Sequence, residues 1–207
     1  RRVNARVFAF DYRRGLEWQI RALGGSYTTI SPDRPTGLNP LYAETDPTGQ
    51  SWLSDWLAAL LRREDRPYSP KQTHTLHQSV VQNAEAPAHL RNWGEFGSLF
   101  TSLDDGGDLE QRVREWAPGG RYGWVFDEPE QGAGLELASD IIGFDMTEIL
   151  DMTTERMAVL SYIFRQIERV VEDEKIVYEN SLGERITDVC DVETDAEGVV
   201  VVADTDT

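Results

Sequence analysis

Cysteine is almost missing from these 207 residues: Cys190 stands alone, so no internal disulfide can form and thiolates cannot close a zinc site. Histidine is scarce too, at three. His74 and His77 share a helix face, but no third ligand lies near them in sequence, and no metal site is expected. Positive charge is in short supply, with Lys+Arg 20 against Asp+Glu 37 and a net charge of -17. Such a field repels phosphate backbones, which argues against a general nucleic-acid surface. No apolar run approaches the roughly 20 residues of a membrane helix, and nothing resembles a signal peptide, so a soluble cytoplasmic protein is the expectation. The first residue is Arg1 rather than Met, which suggests a piece of something longer.

What is present is globular in character: 40% hydrophobic and 28% charged residues, enough for one substantial core. Residues 3–10 alternate as a strand that runs into Asp11. Leu16, Ile20 and Leu23 recur at helical spacing over 14–23, and Gly24-Gly25 stops that helix before a second strand at 26–31. Strand, helix, Gly-Gly, strand predicts a βαβ unit with parallel strands under covering helices. Residues 31–41, with three prolines, read as a loop. From 49 to 116 the pattern is helical, with Ser69-Pro70 as a capped start and the DDGGD turn at 104–108 splitting the last two helices. Strand character returns at Tyr122–Phe126, at 134–144 and at 175–178, and Thr153–Val171 forms a helix with Met157, Leu160, Phe164, Ile167 and Val171 in one stripe. The expected sheet contains 3–10, 26–31, 138–143 and 175–178. Residues 181–207 stand apart, holding eight acidic residues against Arg185 alone. They are expected to be a divergent tail, with a hairpin near Gly198, that packs weakly on the rest.

Five segments carry a resemblance: FDYRRGLE at 10–17, RALGGSY at 21–27, PTGLNPL at 35–41, GGRYGWVFD at 119–127 and IIGFDMTEILD at 141–151, followed by YIFRQIE at 162–168. In this order they resemble the C-terminal motor domain of the VirB/TrbE/CagE-type ATPases of type IV secretion and conjugative transfer systems. The resemblance implies an α/β chain: a fragment of a RecA-like P-loop NTPase core, with a mainly parallel sheet and a helical insertion. It divides the chain into core at 1–48, insertion at 49–116, core at 117–180 and tail at 181–207. For the complete parent it implies ATP and Mg²⁺ as cofactors, and other motor subunits and secretion-channel components as partners. It also implies peripheral attachment, through those partners, at the cytoplasmic face of the bacterial inner membrane.

No Gly-x₄-Gly-Lys-Ser/Thr loop occurs in the chain, so the cradle of amides and ammonium that positions phosphates is not available from these residues. The fragment is therefore expected to bind no nucleotide tightly and to be inactive alone. Asp11, Arg13 and Arg14 match the family's strand-end acid and basic pair near the nucleotide; a strand-end aspartate that faces solvent or caps the following helix is the plainer reading of Asp11. Glu179 ends the KIVYE segment, where the family has an apolar residue, Asp and Glu. It is the candidate catalytic residue, as magnesium ligand or water-activating base, with an ordinary strand end as the alternative. Asp145 and Glu148 read as loop and helix-start residues. A non-catalytic α/β partner-binding protein is the competing function.

Overall fold

The computed structural model describes residues 6–34, 36–126 and 137–173, together with the backbone of four short strands between 178 and 202. Two units are present, Arg1–Ile163 and Phe164–Thr207. The first is built on strands β1 (Val7–Asp11), β2 (Ser26–Thr29) and β3 (Ile141–Asp145), in the order β1-β3-β2 with both pairings parallel. Helix α1 (Glu17–Ala22) connects β1 to β2, so the βαβ unit forms as its pattern predicts, but β3 enters between its two strands. Gly143 explains how. A Cβ there would lie 2.5 Å from both Ile20 Cδ1 of α1 and Tyr27 Cδ2 of β2, so only glycine lets helix and neighbouring strand close over β3.

Between β2 and β3 lie α2 (Pro40–Ala43), α3 (Pro47–Leu60), α4 (Pro70–Glu85), a 3₁₀ turn at Ala88–Leu90, α5 (Trp93–Ser98) and α6 (Asp108–Arg114). Local chemistry sets their starts. Asp46 accepts the Gly49 amide at 2.9 Å ahead of Pro47, and Ser69 and Gln72 exchange a reciprocal capping box ahead of Pro70. The short α2 falls within the expected loop, because Asn39 accepts the Tyr42 amide and Pro40 sits in the first turn. Leu53, Leu57, Leu76, Val80, Leu109 and Val113 are fully buried among these helices.

The segment Tyr122–Phe126 is a series of turns, not a strand. Its aromatic residues serve packing instead of pleating: Tyr122 lies 4.6 Å from Trp116, and Phe126 stacks on Trp93 at 5.3 Å and meets Trp56 edge-on at 5.5 Å. Trp52 and Trp56 stack at 5.4 Å.

Helix α7 (Thr153–Asp173) also departs from its expected stripe. Met157 is 66% and Phe164 50% exposed, whereas Ala158, Val159, Tyr162 and Ile163 are buried. Arg165 is buried beside them in sequence. Smaller and amphipathic side chains face inward here, and Trp56 Nε1 donates to Ser161 at 2.8 Å across that face.

Of the strand expected at 175–178 only Tyr178 is described, and it does not join the parallel sheet. Tyr178–Glu179 (β4) pairs antiparallel with Arg185–Ile186 (β5), and 175–177 lie outside the described residues. A connection as short as 180–184 suits an antiparallel return, whereas a parallel neighbour needs a crossover of about a dozen residues. The hairpin read around Gly198 is present as Val192–Thr194 (β6) paired antiparallel with Val200–Val202 (β7). Among the described residues no helix is long and apolar enough to cross a membrane.

Candidate functional site

Strands β1 and β3 both end in Phe-Asp, and their register puts Asp11 directly beside Asp145 at the C-terminal edge of the sheet. Phe10 and Phe144 lie one step back with ring centroids 5.4 Å apart. Open parallel sheets bind ligands outside this edge. Both aspartates are buried, at 6% and 2% exposure, and two like charges at paired positions need separate partners to stay ionised.

Those partners come from the turn after β1. Asp11 Oδ2 accepts the Tyr27 hydroxyl at 2.6 Å and the Leu16 amide at 2.8 Å, while Oδ1 accepts the Tyr12 amide at 2.8 Å. Burial alone would raise the Asp11 carboxyl, but the bonds from Tyr27 and from the amides of Leu16, Tyr12 and Gly15 together outweigh it and hold the group below its ordinary value. Burial and the adjacent Asp11 carboxylate push the Tyr27 phenol far up, so Tyr27 is a fixed donor and not a base.

Asp145 is held differently. Its Oδ1 accepts the Thr147 hydroxyl at 2.5 Å and the Thr147 amide at 3.1 Å, and its Oδ2 receives Arg14 Nε at 3.1 Å. Thr147 Oγ1 in turn accepts the Arg13 amide at 2.7 Å. Arg13 and Arg14 both have left-handed backbones, with φ of 59 and 56. Each such residue costs on the order of 1–3 kcal/mol, and the contacts to Asp11, Asp145 and Thr147 hold the turn in that shape. A second link closes the edge: Ser31, two residues past β2, donates to Glu148 at 2.9 Å.

Of the expected site residues, Asp11 and Arg14 come together around the sheet edge, Arg14 by reaching across to Asp145. The Arg13 guanidinium lies 4.9 Å over the Tyr12 ring on the exposed side of the turn. Glu179 is in β4 of the second unit, and its side chain lies outside what the structure describes. The sequence gives Asp145 only a loop role and offers nothing for Thr147 and Tyr27. The twin Phe-Asp endings of VFAFD and IIGFD were the one signal for the first of these. His74 and His77 are exposed, and among the described residues no group of three His, Cys, Asp or Glu could hold a metal.

The chain is 31% identical over 176 residues to the type IV secretion system protein PtlC of Bordetella pertussis, covering 82% of this chain and 21% of that protein. It is 27% identical over 175 residues to the type IV secretion system protein virB4 of Bartonella quintana (84% and 22%), and 28% identical over 174 residues to virB4 of Agrobacterium fabrum (83% and 22%). This chain is a relative of the VirB4 proteins. It spans about a fifth of the length of these curated relatives. The solved structure of VirB4 from Thermoanaerobacter pseudethanolicus superposes with a TM-score of 0.65 at 15% identity, over 83% of this chain and 50% of that one. The parallel sheet with its helices is thus the α/β fold of VirB4. No family model matches the chain.

Proposed function

We propose that this VirB4-type chain is part of the ATP-hydrolysing motor that powers type IV secretion or conjugative transfer, and that it hydrolyses no ATP by itself. The similarity to VirB4 proteins over 82–84% of the chain carries the first half of this reading. On it, residues 49–116 are a helical insertion between two parts of a RecA-like core, and the motor works at the cytoplasmic face of the inner membrane beside other subunits and channel components.

The second half rests on donor chemistry. ATP with Mg²⁺ needs a lysine-bearing glycine loop and free carboxylate oxygens. The 207 residues contain no such loop, and the strand-end oxygens of Asp11 and Asp145 already accept internal hydrogen bonds. The described residues do not fit Mg²⁺-ATP on their own. What they supply is a rigid turn that presents the Arg13 side chain at the ligand edge of the sheet. Glu179 is the residue proposed to supply a catalytic carboxylate in the complete motor.

A partner-binding protein without catalysis is the second reading, favoured by Trp18 at 72% and Leu23 at 69% exposure on α1 and its C-terminal end. Phosphate release from Mg²⁺-ATP tests the claim that the chain is inactive alone. The purified chain is expected to stay at background. Turnover that follows the protein through size exclusion and disappears in Glu179→Ala would contradict it.

A further inference from the structure

The segment IIGFDMTEILD carries a hydroxyl whose role the acid pair alone does not explain. Thr147 stands two residues past the end of β3, half-buried in the loop that leads to α7. Its side chain does two things at once. Oγ1 donates to Asp145 at 2.5 Å and accepts the Arg13 amide at 2.7 Å, across 134 positions of sequence. A threonine hydroxyl has one proton and two lone pairs. With the proton committed to a carboxylate, a lone pair is turned towards the amide. Serine keeps both roles; valine keeps the branched shape and loses both.

The two arginines of the turn are used differently. Arg14 is spent on the structure, since its Nε donates to Asp145 at 3.1 Å. Arg13 makes no ion pair among the described residues, and its guanidinium lies 4.9 Å over the Tyr12 ring on the exposed side. Its backbone is left-handed, at φ 59, a shape that a residue with a Cβ leaves when nothing holds it. Among the described residues, the hydrogen bond that ties Arg13 itself to the sheet is the one to Thr147.

We propose that Thr147 is a positioning residue: its hydroxyl fixes the Arg13 backbone, and with it the direction of the Arg13 guanidinium at the ligand edge, while Arg14 serves as the anchor. The inference rests on the reading of that edge as part of the motor, and it deepens that reading by dividing the basic pair into one working and one structural cation. A hydroxyl that relays between a carboxylate and an amide suits this task because it adds no charge beside two buried aspartates.

The test is ¹H–¹⁵N NMR of the full 207-residue chain as wild type, Thr147→Ser and Thr147→Val. No nucleotide enters it, so its outcome is separate from whether the parent motor hydrolyses ATP. The Arg13 amide should exchange about tenfold faster in Thr147→Val than in wild type, the loss of one hydrogen bond. The Arg13 Nε–Hε signal, displaced by the Tyr12 ring, should move to the position of an unstructured arginine in Thr147→Val and return in Thr147→Ser. The Arg14 Nε–Hε signal should keep its place in all three, because the amide at position 147 still serves Asp145. Arg13 signals that stay in place in Thr147→Val, or that Thr147→Ser fails to restore, overturn the proposal whatever happens to the denaturation midpoint. Should Thr147→Val not fold, the wild type decides: an Arg13 amide protected about tenfold against unstructured peptide supports the proposal, and one that exchanges as fast overturns it.

Discussion

Asp11 and Asp145 are register partners on adjacent parallel strands, yet each carboxylate is held by its own set of donors. Tyr27 and the amides of the following turn take Asp11; Thr147 and Arg14 take Asp145. Two charges that would repel each other are thereby turned into anchors for one strained turn. The hydrogen bonds of both acids tie down the turn that carries Arg13 and Arg14.

The Asp11–Tyr27 contact can be isolated by a double-mutant cycle. Asp11→Asn, Tyr27→Phe and the pair are compared by urea denaturation. Because Asp11 is buried and the contact is charge-assisted, a coupling of about 1–3 kcal/mol is expected. A coupling near zero would mean that the two groups are satisfied independently.

Acid should remove this contribution in a defined window. The folded Asp11 carboxyl lies below its unfolded value, so its stabilisation is fully present above the unfolded value and is lost as pH falls through the folded one. Wild type should therefore exceed Asp11→Asn by a constant margin from neutral pH to about pH 5, and the margin should shrink below about pH 4. Denaturation midpoints measured across this range decide it; a margin that grows on acidification contradicts the assignment.

The left-handed turn makes a separate prediction at Arg13. Its side chain is exposed and its amide bond to Thr147 survives any non-proline change, so backbone strain dominates. Arg13→Gly should be more stable than Arg13→Ala by about 1 kcal/mol, since only glycine adopts this φ without a Cβ clash. Equal midpoints for the two variants would show that the turn is not strained.

Much of the fold could be read from local pattern. The βαβ start, the Ser69-Pro70 cap and the hairpin around Gly198 depend on neighbours in sequence, and they formed where their residues predicted. The failures depend on distant partners. YGWVF has strand composition, but its rings have Trp93, Trp116 and Trp56 to fill against, and packing outweighs β preference. The Met157–Phe164 stripe of α7 has good helical spacing, yet Val159 and Tyr162 face the core; periodicity cannot say which of two apolar faces meets a partner. The close cover of β3 by Ile20 and Tyr27 depends on Gly143, which carries no pattern of its own. At the site, the family resemblance singled out Asp11, Arg13 and Arg14, and the structure brings Asp11 to the sheet edge with Arg14 reaching across to Asp145. The place of Asp145 was not legible, because a lone aspartate after a strand looks like any loop residue until its register with Asp11 is known.

The most direct test of the positioning claim is the response of the two carboxylates to Mg²⁺. Side-chain carboxyl ¹³C shifts of Asp11 and Asp145 would be followed while Mg²⁺ is raised into the millimolar range at constant ionic strength. Carboxylates already occupied by Tyr27, Thr147, Arg14 and the turn amides should show no saturable shift. A saturable shift of both signals together, with the Arg14 Nε–H released from Asp145, would show that the pair is a metal site and would contradict the positioning role.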